Sequence, residues 1–166
     1  PISPYSLAKS SCTHFLQMLH RTENFPTTIL RLFLTYGPGQ NRDRFIPQII
    51  TGCIKNLKFP TTQGNQIRDF CYVDDAVSAI FLALLSKKSE GEIFNVGSGK
   101  PVKIKFVIEL IKKLTGKGKP QYGKVKYRKS ENSYLYANNK KINKILGWNT
   151  KIHLKSGLQK TIKDFM

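Results

Sequence analysis

Residues 27–40 read "TTILRLFLTYGPGQ". The opening run, "TTILRLFL", is a nearly continuous series of strand-forming apolar residues, which predicts a strand covered on both faces. At "TYGPGQ" two glycines and a proline force a loop. In open α/β sheets a loop at the carboxyl end of such a strand is where ligands bind. The stretch therefore predicts a fold class and a place for a site together.

Working outward, helical and strand signals alternate, which is the pattern of an α/β fold. Upstream, a helix over about Pro4 to Glu23 places Cys12, Phe15, Leu16 and Leu19 at i, i+3, i+4 and i+7 and is expected to bury that stripe. The same helix carries Tyr5 and Lys9 one turn apart, on one face. An ammonium beside a phenol favours the phenolate, so the two form a candidate proton-transfer pair. Tyr-x-x-x-Lys is a short pattern, and a solvated helix face would show it too.

Downstream, a helix is expected from about Arg44 to Asn56, then a polar "TTQGNQ" turn into a strand at "IRDFCYV". Asp74 or Asp75 is expected to cap the next helix, with Val77, Ile80, Phe81 and Leu84 on its buried face. "EIFNVG" reads as a strand ending in the turn "GSGKP", and the following helix carries Val107, Leu110, Ile111 and Leu114 in register before stopping at Gly116. "GKGKPQYGK" reads as a loop, "VKY" as a short strand, and two small helices flank "ILGWNTKIHL", where Trp148 is expected to anchor a core.

At 166 residues the chain can hold a domain with a real core. Its longest apolar run, "AVSAIFLALL", is too short for a membrane span. No initiator methionine or signal segment precedes Pro1, so a portion of a longer chain is expected. Cys12, Cys53 and Cys71 are odd in number and widely spaced, and read as buried thiols of a cytoplasmic protein. The histidines are isolated, and no metal site is expected. The formal charge of +18 comes mostly from scattered lysines without the arginine clusters or interleaved aromatics of a nucleic-acid surface, which argues against a nucleic-acid partner.

"SPYSLAK", "LRLFLTYGPGQ", "RFIPQII", "GNQIRDFCYVDDAVSAI", "IFNVGSGKPVKI" and "ILGWNTKIHLKSGLQKTI" follow one another in an order and spacing that resembles the C-terminal half of extended short-chain dehydrogenase/reductases acting on nucleotide sugars. The resemblance implies a Rossmann-like α/β fold with its substrate-binding domain. Residues 1–36 would end the dinucleotide-binding domain, and residues 37–166 would mainly form the nucleotide-sugar domain while completing the Rossmann sheet. It implies Tyr5 as catalytic base and Lys9 as its partner on the nicotinamide ribose of NAD or NADP, with Tyr36 near the nicotinamide. Arg68, Arg128, Phe45 and Gln40 fall on the side of a nucleotide-diphosphate sugar. Arg68 would grip the diphosphate by forked hydrogen bonds, with pairing to Asp69 as the alternative. Arg128 matches more loosely, because Arg128-Lys129-Ser130-Glu131 stands where the family has Arg-x-Gly-Asp. Phe45 would wall the nucleobase or serve the core, and Arg31 would brace the loop.

Leu34 stands where many members have an asparagine that helps bind the substrate phosphate, so the substrate must be held differently. The glycine-rich pyrophosphate turn and the catalytic Ser or Thr are absent from this stretch. "NVGSGKP" lacks the third glycine of a cofactor site and reads as a turn. The implied function is C4 oxidation of a nucleotide-diphosphate sugar within an epimerase or dehydratase, dimeric through the tyrosine helix, with this stretch alone expected to be inactive. A non-catalytic remnant that binds nucleotide sugars or a partner chain is the alternative.

Overall fold

Ser3 starts the first helix, α1 (Pro4–Glu23). The Ser3 hydroxyl accepts from the Ser6 backbone N–H at 3.1 Å, and the Ser6 hydroxyl accepts from the Ser3 N–H at 3.0 Å. Pro4 sits in the first turn, where its missing N–H costs nothing, and Asn24 closes the helix at φ 54°. The computed structural model describes residues 1–128 and 131–166. After α1 come β1 (Ile29–Leu32), β2 (Leu34–Tyr36), α2 (Phe45–Ile54) and β3 (Lys58–Pro60). β4 (Ile67–Arg68) and β5 (Phe70–Tyr72) lead into α3 (Val73–Leu85), and β6 (Ile93–Val96) and β7 (Val102–Lys103) into α4 (Ile104–Thr115). β8 (Lys119–Gln121), β9 (Tyr134–Leu135), α5 (Lys140–Leu146) and α6 (Leu154–Lys163) complete the order.

The fold is α/β, as expected, with mostly parallel pairing. β1 pairs with β6, β2 with β5 and β3 with β8, all parallel. β4 lies between antiparallel β7 and parallel β9. The stretch at 27–40 is therefore two strands and not one. At Phe33, whose N–H donates to the Val96 carbonyl at 2.9 Å, the chain leaves β6 for β5. "IRDFCYV" is divided in the same way at Asp69, and β4 and β5 join different sheets.

Two apolar clusters hold the fold. α2, α4 and α6 bring Ile50, Val107, Ile108, Ile111 and Leu158 against Tyr36, Phe70 and Tyr72. The α4 stripe thus serves as expected, and Gly116 ends that helix at φ 69°. The second cluster gathers Cys71, Ala79, Phe94, Val96 and Ile142 around Trp148. Trp148 is 2% exposed, and its indole N–H donates to the Asp75 carbonyl at 3.1 Å and the Ser78 hydroxyl at 2.9 Å.

Several expectations are corrected. α1 contains no buried residue: Leu16 and Leu19 are half-buried, while Cys12 and Phe15 are exposed; among the described residues the helix is flanked by β1 and, at His20, by Gly91. "TTILRLFL" is not covered on both faces, and Leu32 and Leu34 stand exposed. In α3 the buried face is Ala76, Ala79 and Ala83, and Val77, Ile80, Phe81 and Leu84 are exposed. A helix apolar all round offers two stripes, and the small one permits close approach to the sheet. Neither Asp74 nor Asp75 caps α3, which starts after Tyr72 without a side-chain cap, and Asp75 is used elsewhere. Its carboxylate accepts from the Lys151 and Ile152 N–H groups at 2.9 and 3.0 Å, fastening the segment before α6. "GKGKPQYGK" contains β8, paired to β3, whereas "VKY" forms no strand.

Gly157 lies inside α6, where alanine normally favours a helix by about 1 kcal/mol. A Cβ there would collide with the Tyr36 hydroxyl and stand 2.9 Å from Tyr72 Cδ2. Gly157→Ala is expected to destabilise the fold by about 1–3 kcal/mol, with partial recovery on adding Tyr36→Phe, both read from urea midpoints. Burial, reinforced by Asp75 and Asp69, pushes the Cys71 thiol up to about 12, and burial raises Cys53 as well. At a pH of about 8 the Cys71 thiol therefore stays protonated and shielded. Iodoacetamide should modify Cys12 alone in the folded chain and all three thiols after denaturation, as counted by mass spectrometry.

Candidate functional site

The α1 helix does present Tyr5 and Lys9 on one face, with the Lys9 ammonium 5.8 Å from the Tyr5 ring centroid. Tyr5 is 73% exposed. Both residues line an open cleft of about 650 Å³ that runs between α1 and the Ile29–Leu32 strand. Arg31, expected to brace the loop after β2, lines this cleft instead. A phenol, an ammonium and a guanidinium thus share one cavity, a set suited to proton transfer and to holding ribose or phosphate oxygens.

Arg68 lies elsewhere, on β4, and is nearly buried. Its guanidinium donates to the Glu131 carboxylate at 2.7 Å and to the Ile67 carbonyl at 2.8 Å. The pairing with Asp69 weighed from sequence does not form. The partner is Glu131, far along the chain. Arg128 is exposed, and its carbonyl accepts from the Glu131 N–H at 3.0 Å. Of the Arg128-Lys129-Ser130-Glu131 segment, Lys129 and Ser130 lie outside the described residues. Beside Glu131 opens a cavity of about 380 Å³, walled by Asn65, Gln66, Tyr127, Ser133 and Tyr134.

Asp69 turns to the other side of the strand and is buried. Its carboxylate accepts from the Ser98 N–H at 2.6 Å, the Ser98 hydroxyl at 2.5 Å, the Gly99 N–H at 2.9 Å and the Ala137 N–H at 3.0 Å. The Ser98 and Gly99 N–H groups of the "GSG" turn are therefore committed to Asp69 and are not free to cradle a phosphate, in keeping with its reading as a turn. A Cβ on Gly97 would press on the Asp69 carboxylate, which is why a glycine stands there. No sequence pattern singled out this role for Asp69; the only hint was its place beside Arg68.

The remaining candidates sit inward. Tyr36, expected near a nicotinamide, is a core residue: its ring meets Phe70 and Tyr72 edge-on, and its hydroxyl donates to the Leu154 carbonyl at 3.3 Å. Burial raises its phenol above the ordinary range. It is not among the residues lining the Tyr5 cleft. Phe45 packs on Phe70 at 6.0 Å between ring centroids, the core alternative of its two readings. Gln40 donates from its amide to the Thr35 carbonyl at 2.8 Å, while its buried Oε1 has no partner. Leu34 is exposed and presents no hydrogen-bonding group. Among the described residues no group of three or more His, Cys, Asp or Glu side chains is placed to hold a metal ion, and no helix is long and apolar enough to cross a membrane.

Comparison with known proteins gives a consistent result. The profile of a family described as GDP-mannose 4,6 dehydratase matches residues 1–161. The dTDP-glucose 4,6-dehydratase of Haemophilus influenzae is 31% identical, aligned over 100% of this chain and 52% of that protein. Among solved structures, UDP-glucose 4-epimerase of Thermotoga maritima with UDP-glucose superposes with a TM-score of 0.92 at 30% identity, over 99% of this chain and 54% of that one. UDP-glucuronic acid 4-epimerase of Bacillus cereus, in complex with UDP-glucuronic acid and NAD, gives 0.90 at 29%, over 99% and 52%. The chain spans about half the length of the curated relatives it matches.

Asp69→Asn keeps the shape of the side chain but replaces one accepting oxygen with a donor, leaving buried N–H groups without their partner. It is expected to cost about 2–4 kcal/mol, measured by chemical denaturation, with Asp74→Asn on the exposed face of α3 as a control that shifts the midpoint little.

Proposed function

The chain belongs to the GDP-mannose 4,6 dehydratase family, and from that premise we propose that it is the C-terminal part of an NAD-dependent nucleotide-sugar epimerase or dehydratase. The observation that carries this reading is the shared face of Tyr5 and Lys9 at an open cleft beside β1. Residues 1–36 close the dinucleotide-binding domain and residues 37–166 mainly form the nucleotide-sugar domain, with β6 returning to pair with β1.

The residues of this chain fit part of a dinucleotide site. Lys9 and Arg31 offer donors on the cleft, whereas the G-x-G turn after β6, Gly97 to Gly99, has its Ser98 and Gly99 N–H groups engaged by Asp69. Lys9 would hold ribose hydroxyls of NAD or NADP; the dinucleotide supplies hydride acceptance. Tyr5 takes the proton from the sugar hydroxyl, at C4 in this reading, as that carbon is oxidised. Arg68 holds the diphosphate from the nucleotide-sugar side, with Arg128 as a second cation. The exposed Cys12 and Phe15 suit a dimer contact along α1. The cellular setting is the cytoplasm, in keeping with free thiols.

In the NAD-bearing enzyme that contains this chain, Tyr5→Phe is expected to lower turnover about 10²–10⁴-fold. Because the substitution removes a single hydroxyl and leaves the ring in place, the melting temperature should move little. Turnover that survives the substitution would remove Tyr5 as the base. An enzyme without turnover that still binds a nucleoside diphosphate would favour a non-catalytic binding role.

A further inference from the structure

Resting on the reading of Arg68 as the diphosphate contact, we infer that Glu131 is a built-in competitor for that guanidinium: its carboxylate occupies the anion site in the free chain and is displaced by an incoming diphosphate.

The geometry around the pair points this way. The Arg68 side chain is 11% exposed and that of Glu131 is 23% exposed. Glu131 lines the cavity of about 380 Å³ beside β4, whereas Arg68 does not. The carboxylate thus stands between the guanidinium and the open space from which a ligand would come. Arg68 is anchored from behind, since it also donates to the Ile67 carbonyl at 2.8 Å. Glu131 is held less firmly. Among the described residues its carboxylate receives, apart from Arg68, only the Gln66 amide, at a long 3.4 Å, and its backbone lies outside regular structure.

A carboxylate and a phosphate seek the same donors on a guanidinium. While Glu131 is in place it cancels the charge of Arg68 and repels an approaching anion. Its displacement leaves the guanidinium paired with the new anion, so the nearly buried cation is never left uncompensated. An anion carrying more than one charge and held by further contacts can win this exchange, and inorganic phosphate is poorly placed to do so. Glu131 would therefore act as a selectivity element, reserving Arg68 for a ligand that brings a diphosphate and a nucleoside together. The cavity walls, with the exposed Tyr127 and Tyr134, provide space for the carboxylate or for part of the ligand.

The test is calorimetric titration of the full chain with inorganic pyrophosphate, inorganic phosphate, UDP and TDP. Glu131→Gln keeps the shape and an accepting oxygen but removes the charge. It should tighten pyrophosphate binding about tenfold, or about 1.4 kcal/mol, and narrow the preference for UDP or TDP over inorganic phosphate. Glu131→Asp, shorter by one methylene, should give a smaller gain of the same sign. In an Arg68→Ala background the Glu131→Gln gain should vanish. If Glu131→Gln leaves binding unchanged or weakens it while Arg68→Ala abolishes it, Glu131 only positions the guanidinium: the competitor role is overturned and the diphosphate reading of Arg68 stands. If Arg68→Ala leaves diphosphate binding unchanged, that reading falls, and the competitor role with it. Far-ultraviolet circular dichroism of each variant separates these results from loss of folding.

Discussion

The Asp69 carboxylate fixes the geometry around Arg68. Its donors come from the turn after β6 and from Ala137 beyond β9, so one buried group ties three distant segments together. Side chains alternate across a strand, and turning Asp69 toward the "GSG" turn sends Arg68 to the opposite side, where it meets Glu131. The same carboxylate takes up the turn's N–H groups, which explains why a G-x-G sequence after a strand serves structure and not phosphate binding. Asp75 acts in parallel one turn into α3, fixing residues 151 and 152 ahead of α6. Two acids close together in sequence thus fasten two separate sets of backbone N–H groups.

Much of this was legible because it is local. The Pro4 start of α1, the α4 stripe with its glycine stop and the four-residue spacing of Tyr5 and Lys9 depend on helix geometry alone, and the structure carries each of them. The Glu131 partner of Arg68 was not legible, because it lies 63 positions away and outside regular structure. The buried face of α3 was misread for a different reason. Periodicity identifies an apolar stripe but does not say which of two faces the sheet, and here close approach selects the alanines over the larger residues. The division of the 27–40 stretch at Phe33 was likewise hidden, since the apolar run continues across the point where its pairing partner changes.

The large side chains turned outward are informative in their own right. Ile80, Phe81 and Leu84 on α3, Phe15 on α1, and Leu32 and Leu34 on the strands are all exposed. Among the described strands β1 pairs only with β6. Apolar exposure on this scale marks surfaces that associate with something, and it concentrates around α1, β1 and α3. The cluster formed by α2, α4 and α6 is closed by comparison.

This contrast separates binding from chemistry. Arg68 is nearly buried, so its hydrogen bonds act where water screens them weakly, and every element that positions it belongs to this chain. Tyr5 is 73% exposed, and a charge developing there finds no preorganised surroundings within these residues. Exclusion of water strengthens such interactions, and for Tyr5 that exclusion must come from whatever covers α1 and the edge of β1. In the proposed reading, gripping a diphosphate would depend on contacts made within these residues, whereas proton transfer would depend on closing the face they leave open.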